Sequence, residues 1–188
     1  NREILFDQFH VDCRAGRGVW QTHPEKGAYF TRGTSRNPQA QYSERGPDYV
    51  YNMQRLLLKF DTAKNLVPQP ILSQAEVPAR YGALYYGSTS PSMQEAIVRL
   101  RDDGVALDTM RLRAFPFPDS VRDFIDGHDA VFVIEQNRDG QLRTLLINEF
   151  GIDPARLIAV LHYDGTPITA RFIGDAIVSV VRPIVRLE

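Results

Sequence analysis

The chain of 188 residues has little cysteine, little net charge and no long apolar run. Cys13 is its sole cysteine, which excludes an intrachain disulfide framework, a cysteine-ligated iron–sulfur cluster and a multi-cysteine zinc site. Such cysteine usage predicts the reducing cytoplasm as its compartment. The chain has 22 basic and 23 acidic residues, and its net charge of −1 gives no overall attraction to nucleic acid or to anionic membranes.

The longest apolar runs, Val131–Ile134 and Leu157–Leu161, are far shorter than the roughly 20 residues that span a bilayer. We therefore expect no nucleic-acid partner and no membrane crossing. The chain opens on Asn1 rather than Met, and no basic segment followed by an apolar one resembles a signal peptide. This beginning predicts a cut inside a longer polypeptide or a processed chain.

Residues 1–47 are rich in glycine and arginine, and glycines interrupt every candidate helix or long strand. About 40 residues without regular structure are unusual inside a compact domain. Four aromatic residues argue against a freely disordered tail, namely Trp20, Tyr29, Phe30 and Tyr42. We interpret residues 1–47 as an extended arm that ends a missing preceding domain and packs on a neighbour.

Residues 48–73 are predicted to form a helix followed by a proline-containing linker. Asp48 is the expected N-cap, and apolar residues then recur at spacings of three and four: Tyr49, Met53, Leu56, Leu57, Phe60 and Ala63. The pattern ends by Val67, before Pro68 and Pro70. From Pro68 through Pro78 the chain is interpreted as an extended linker.

Residues 74–188 alternate short apolar runs with amphipathic stretches, which predicts an α/β domain. Strands are expected at 82–86, 105–112, 130–135 and 157–161, with helices between them and a last helix at 170–180. Ser88–Ser90 reads as a turn and cap, with Pro91 at the first helical position. Connections this short favour a mainly parallel sheet with helices on both faces.

Several polar segments are candidates for chemistry. Gly87–Ser90 follows a strand and opens a helix, where a phosphate could bind, but the full phosphate-loop patterns are absent and we favour a turn with an N-cap. The metal-capable residues His10, Asp12, Cys13 and His23 match no recognised ligand spacing or nucleophile pair. Hydrogen bonding within a loop is the preferred interpretation for them.

Two further segments are candidate contact sites. Asn137, His162 and Asp164 follow predicted strands at their carboxyl ends, the edge where open α/β sheets bind ligands, although capping and turn formation also explain these residue types. Thr31, Arg32 and Arg36 lie in a stretch where glycines allow close approach and arginines could meet carboxylates or another anion. A surface turn is the alternative. We assign no catalytic residue and no metal ligand.

The order and spacing of several segments resemble one known family over nearly the whole chain from Gly27 onward. The resemblance is to the carboxyl-terminal part of the alpha subunit of 2-oxoacid:ferredoxin oxidoreductases, nearest to the 2-oxoglutarate type. It rests on residues 27–36, 49–68, 85–89, 112–118, 133–142 and 163–167.

That resemblance implies a complex that converts a 2-oxoacid and coenzyme A to an acyl-CoA and carbon dioxide, passing electrons to ferredoxin. It implies thiamine pyrophosphate, Mg²⁺ and an iron–sulfur cluster in the full complex, with none held by this fragment. Residues 74–188 are implied to be a transketolase carboxyl-terminal-like domain that serves subunit assembly and active-site enclosure. The implied partners are the beta subunit, the remaining alpha-subunit domains, ferredoxin and coenzyme A, in an oligomer.

Two other classes of function stay open at the level of sequence. The chain could be a freestanding α/β binding module, or the carboxyl-terminal domain of another transketolase-like enzyme. It could also be a small independent enzyme that uses Glu135, Asn137, His162 and Asp164 at the edge of the sheet.

Overall fold

A computed structural model describes residues 35–39 and 41–182 of the chain. The chain divides into two compact units, Asn1–Val67 and Pro68–Glu188. The predicted segments 1–47, 48–73 and 74–188 stay a prediction of domain organisation. One observation bears on the middle segment, because Ile71–Ser73 forms a strand that pairs within the sheet of the second unit.

In the first unit, helix α1 spans Gly46–Ala63. It begins two residues before the predicted N-cap, so Asp48 lies in the first turn, where it accepts a hydrogen bond from Ser43 Oγ. A carboxylate in this turn still interacts favourably with the helix dipole. Asn52 Nδ2 donates to the main-chain oxygen of Arg36 at 2.6 Å, which ties the helix to the bridge between Arg36 and Tyr42.

The second unit contains five strands and four helices among its described residues. The strands are β1 (Ile71–Ser73), β2 (Tyr81–Tyr86), β3 (Leu107–Leu112), β4 (Ala130–Glu135) and β5 (Leu157–Leu161). The helices are α2 (Ser90–Asp102), α3 (Asp119–Asp126), α4 (Gln141–Phe150) and α5 (Ala170–Val181).

The strand order is β1-β3-β2-β4-β5, and every pair is parallel except β1 with β3. Leu84 at the centre pairs in register with Met110 on one side and Val133 on the other. The predicted parallel α/β sheet is therefore confirmed. The sequence prediction missed β1, whose residues were interpreted as linker.

Helices cover both faces of the sheet, as predicted, because alternate strand residues feed two separate cores. On one face, Ala83, Phe132 and Ile134 pack with Met93 of α2 and with Ile173 and Ile177 of α5. On the other face, Leu84, Val131 and Val133 pack with Val121 and Ile125 of α3 and with Leu146 of α4. Strands buried on both faces explain why β2 and β4 read as continuous apolar runs.

Strand β3 begins two residues later than predicted because Gly104 ends helix α2. Gly104 has φ +73°, and the amide of Val105 donates to Leu100 O at 2.8 Å while that of Gly104 donates to Arg101 O. This pair of bonds is the Schellman ending of helix α2. Val105 is consequently held by the helix terminus, and the strand begins at Leu107.

At the amino edge of the sheet, Asp108 fixes the chain that leaves β1. Its Oδ1 accepts a hydrogen bond from the amide of Ala75 at 2.8 Å, and its Oδ2 lies 3.3 Å from Nε2 of His128. His128 Nδ1 lies 2.6 Å from the main-chain oxygen of Phe124. These contacts link the start of β3 to the segment that follows β1 and to the connection between α3 and β4, at the edge opposite the candidate site.

Candidate functional site

The carboxyl ends of the four parallel strands place three predicted polar segments at one edge of the sheet. Gly87–Thr89 follows β2, Gln136 and Asn137 follow β4, and His162 to Asp164 follow β5. The connection after β2 leads to α2 on one face, whereas that after β4 leads to α4 on the other. The neighbouring strands β2 and β4 thus form the topological switch point, where open α/β sheets usually bind ligands.

Gln136 closes this switch point with its side chain. Its Nε2 donates to Ser88 Oγ at 3.1 Å and to Thr89 Oγ1 at 3.2 Å, and its Oε1 accepts from the amide of Ile168 at 3.4 Å. One carboxamide therefore joins the connections that follow β2, β4 and β5. Thr89 makes no side-chain capping bond to α2, and its hydroxyl accepts a hydrogen bond from Gln136.

Glu135 is fully buried at the end of β4 and caps helix α4. Its Oε2 accepts from Asn137 Nδ2 at 2.8 Å and from the amide of Leu142 at 2.7 Å. Its Oε1 accepts from the amide of Arg143 at 3.0 Å. Three donors and the positive end of the helix dipole therefore meet the two carboxylate oxygens. This arrangement serves the fold, because it satisfies amides of the first turn of α4 inside the protein.

Asn137 is occupied by the same turn. Besides its bond to Glu135, its Oδ1 accepts from the amides of Asp139 at 3.1 Å and Gln141 at 3.3 Å. Gly140, with φ +60°, carries the chain from that turn into α4. The contacts agree with the capping interpretation of Asn137, and its predicted role in ligand contact stays a prediction.

The structure brings His162 and Asp164 together. The buried His162 donates its amide to Glu135 O at 2.9 Å, and its Nε2 lies 3.4 Å from Asp164 Oδ1. The imidazole also packs edge-on against Phe172, with ring centroids 4.9 Å apart. No described hydrogen bond joins Asn137 directly to this pair, so the three predicted residues meet only through Glu135.

The carboxylate of Asp164 is exposed and organises the turn that follows it. It accepts from the amide of Thr166 at 2.8 Å and from the Thr166 hydroxyl at 2.7 Å. These two bonds, the main-chain one first, lower the pKa of Asp164 below its ordinary value, and nearby His162 adds a smaller effect in the same direction. Asp164 is therefore a turn-forming anion whose Oδ1 already has two donors.

A further polar cluster, on the face covered by α2, consists of Tyr85, Ser90 and Arg111. Burial raises the pKa of Tyr85, while the positive charge of Arg111 and a hydrogen bond with Ser90 act in the opposite direction. Arg111 pairs with Tyr85 in register on the neighbouring strand. The phenol is thus kept neutral and serves as a hydrogen-bonding group at this edge.

Most of the candidates near the beginning of the chain lie outside the described residues. This holds for Thr31 and Arg32, and for His10, Asp12, Cys13 and His23. Arg36 is described, and it forms an isolated antiparallel bridge with Tyr42. The contact predicted for Thr31, Arg32 and Arg36 stays a prediction.

The residues that the structure describes do not fit the metal centres that the family resemblance implies. One cysteine is too few for a cysteine-ligated iron–sulfur cluster, and residues 35–39 and 41–182 hold no group of three histidine, cysteine or acidic side chains able to bind a metal. In the same described ranges, no helix combines the length and apolar character needed to cross a bilayer.

The fold is shared with a solved oxidoreductase structure. The chain superposes on 2-oxoglutarate:ferredoxin oxidoreductase from Magnetococcus marinus, solved with 2-oxoglutarate, coenzyme A and succinyl-CoA bound, with a TM-score of 0.73 and 20% identity. The alignment covers 87% of this chain and 28% of that one. This likeness defines an α/β fold of the kind found in that enzyme.

Sequence comparison then gives a relative. Over 123 residues the chain is 28% identical to the alpha subunit of 2-oxoacid:ferredoxin oxidoreductase 2 from Aeropyrum pernix, a match to 63% of this chain. The match spans 19% of the relative, about a fifth of its length. No family model matches the chain. The resemblance to 2-oxoacid:ferredoxin oxidoreductase alpha subunits that the motifs predicted is confirmed.

Two other solved structures superpose less well. One is the alpha chain of a probable 2-oxoacid ferredoxin oxidoreductase from Thermoplasma acidophilum, with 23% identity over 60% of this chain, 97% of that chain and a TM-score of 0.41. The other is a split-gene transketolase, an inactive beta4 tetramer, with 18% identity over 57% of this chain, 40% of that chain and a TM-score of 0.42.

Proposed function

We propose that the chain forms part of the alpha subunit of a thiamine-dependent 2-oxoacid:ferredoxin oxidoreductase, with 2-oxoglutarate as the substrate. The complex oxidatively decarboxylates the 2-oxoacid, transfers the acyl group to coenzyme A and passes the electrons to ferredoxin. The 123-residue match to an alpha subunit carries this proposal. Its partners are the beta subunit, the remaining alpha-subunit domains, ferredoxin and coenzyme A, in a cytoplasmic oligomer.

Within that complex, we assign residues 74–188 to subunit assembly and active-site enclosure, as a transketolase carboxyl-terminal-like domain. The contacts at the carboxyl edge support this assignment. The polar side chains here bond within the protein: Asn137 donates to Glu135, and Glu135 accepts from the first turn of α4. Gln136 bonds to the connections that follow β2 and β5. Thiamine pyrophosphate, Mg²⁺ and the iron–sulfur cluster are then held by other parts of the complex.

The test is anaerobic reconstitution of the alpha subunit that carries this chain with its beta subunit. We expect ferredoxin reduction that requires both 2-oxoglutarate and coenzyme A, and that slows when pyruvate replaces 2-oxoglutarate. Ferredoxin reduction with pyruvate but not with 2-oxoglutarate would assign a different substrate and leave the proposed enzyme class unchanged. Turnover by the 188-residue chain alone, without thiamine or a second subunit, would instead support the small independent enzyme.

The contact predicted for Thr31, Arg32 and Arg36 has its own test in the same complex. Arg32→Ala should weaken subunit assembly, or raise the coenzyme A concentration needed for half-maximal rate, because a guanidinium binds carboxylates and phosphates with a geometry that alanine cannot replace. Arg122→Ala is the matched control, since Arg122 is exposed on α3 and ion-pairs with Asp126. Unchanged assembly and unchanged coenzyme A dependence in the Arg32 variant would refute this role.

A further inference from the structure

A cavity of about 430 Å³ lies near the carboxyl edge, on the face of the sheet covered by α3 and α4. It opens between the ends of β2 and β3 and the first turn of α4. Its walls are mainly apolar and include Leu112, Phe117, Leu142 and Leu145. The volume falls within the range of small-molecule sites, which combine apolar walls with a few polar groups.

The rim of this cavity carries one charge. Arg113 follows β3 directly, and it is the sole charged side chain among the described residues that line the cavity. It forms no hydrogen bond or ion pair with another described residue. Two neutral polar residues, Tyr86 and Gln141, line the same space. The chemistry of the rim therefore suits an anion that also accepts neutral hydrogen bonds.

The walls are held in place independently of any ligand. Glu135 binds the amides of Leu142 and Arg143, which fixes the first turn of α4 against the cavity. Phe117 is buried, and it packs edge-on against Phe115 with ring centroids 5.2 Å apart. Phe115 is half exposed beside the opening. A pocket with pre-formed walls binds without the cost of ordering them.

We propose that this cavity binds a small organic anion, with its apolar body between Leu112, Phe117 and Leu145 and its carboxylate paired with Arg113. The described lining residues do not include Gln136, His162 or Asp164. It does not depend on the proposed oxidoreductase function. The ligand class is an aromatic or branched aliphatic monocarboxylate, because the described lining residues offer one cation and no second charge.

The experiment is a ¹⁹F NMR titration of the intact protein, in the complex in which it is isolated, with 4-fluoro-1-naphthoate. The matched neutral probe is (4-fluoronaphthalen-1-yl)methanol, which keeps the ring and removes the charge. We expect saturable broadening with the carboxylate. Arg113→Gln should weaken its binding about tenfold through loss of the charge-assisted bonds. Leu145→Trp should abolish binding by filling the cavity.

Two controls keep the result specific. Arg122→Gln removes an exposed arginine from α3 and should leave the titration unchanged. Thermal unfolding of each variant should match that of the parent protein, which separates loss of the site from loss of the fold. The proposal would be overturned if Arg113→Gln and Leu145→Trp bound the carboxylate as tightly as the parent protein does. It would also be overturned if the parent protein bound the neutral alcohol as tightly as the carboxylate.

Absence of any binding at millimolar probe would also overturn it. If Arg113→Gln then loosened the contact with another subunit, the cavity would be a protein interface instead. Ferredoxin reduction is measured separately, on the parent complex. A failed titration is therefore distinguishable from failure of the proposed enzymatic function.

Discussion

Helix α1 and helix α5 carry similar apolar patterns but have opposite degrees of burial. In α5, Ile173 and Ile177 are completely buried against the sheet. No residue of α1 is buried, and Leu57 is 64% exposed within a stripe that includes Tyr49, Met53 and Phe60. A periodic apolar pattern thus predicts that a helix forms, whereas burial depends on the surface that meets it.

The largest expected difference between the two regions concerns core truncation. Leu146→Ala in α4 should lower the free energy of unfolding by about 3 kcal/mol, because Leu146 is fully buried and its truncation leaves a cavity. Leu57→Ala in α1 should change it by less than about 0.5 kcal/mol. Urea unfolding of the full chain measures both. Equal losses would mean that Leu57 is covered in solution.

A similar contrast holds for two carboxylates. Glu135→Ala should cost roughly 3 kcal/mol, because the amides of Leu142 and Arg143 lose their acceptor inside the protein. Glu149→Ala, at an exposed position of α4, is the control and should fall within about 0.5 kcal/mol of the parent. Thermal unfolding compares them. A small effect at Glu135 would show that water replaces the carboxylate.

These contrasts mark what the sequence could predict. Short apolar runs located β2, β4 and β5, because these strands are largely buried, and apolar residues at spacings of three and four located the helices that follow them. The edge strand Ile71–Ser73 was missed since it is three residues long, exposed and surrounded by prolines. Its strand character comes from pairing with β3, which is distant in sequence.

The position of the candidate site could be predicted from the sequence, whereas its hydrogen bonds could not. Chain order was enough to put Asn137, His162 and Asp164 at one edge of the sheet, because parallel strands share their carboxyl ends. The capping role of Glu135 was not visible, since it reaches amides seven and eight residues later across a left-handed glycine. No periodic pattern encodes such a contact.

Close packing at Gly82 provides a smaller test of the second unit. A Cβ added at this position would lie 2.8 Å from the ring of Phe124, so Gly82→Ala should destabilise the protein by about 2 kcal/mol through overpacking. Gly174→Ala is the matched control in α5, where nothing lies within 4 Å of the added atom. It should stabilise by a few tenths of a kcal/mol up to about 1 kcal/mol. Losses of the same size at both positions would contradict the packing argument.

The smallest expected effect concerns the turn at Asp164. Since the pKa of this carboxyl is lowered on folding, its contribution to stability is present above the ordinary value of 3.8 and is lost as the pH falls through the folded value. Carbon-detected NMR titration should place the midpoint of Asp164 below 3.8. Thr166→Val should raise that midpoint, because it removes the hydroxyl donor and keeps the main-chain one. Thr166→Ser retains the hydroxyl and should leave the midpoint low, so a rise in both variants would trace the lowered pKa to the threonine methyl rather than to hydrogen bonding.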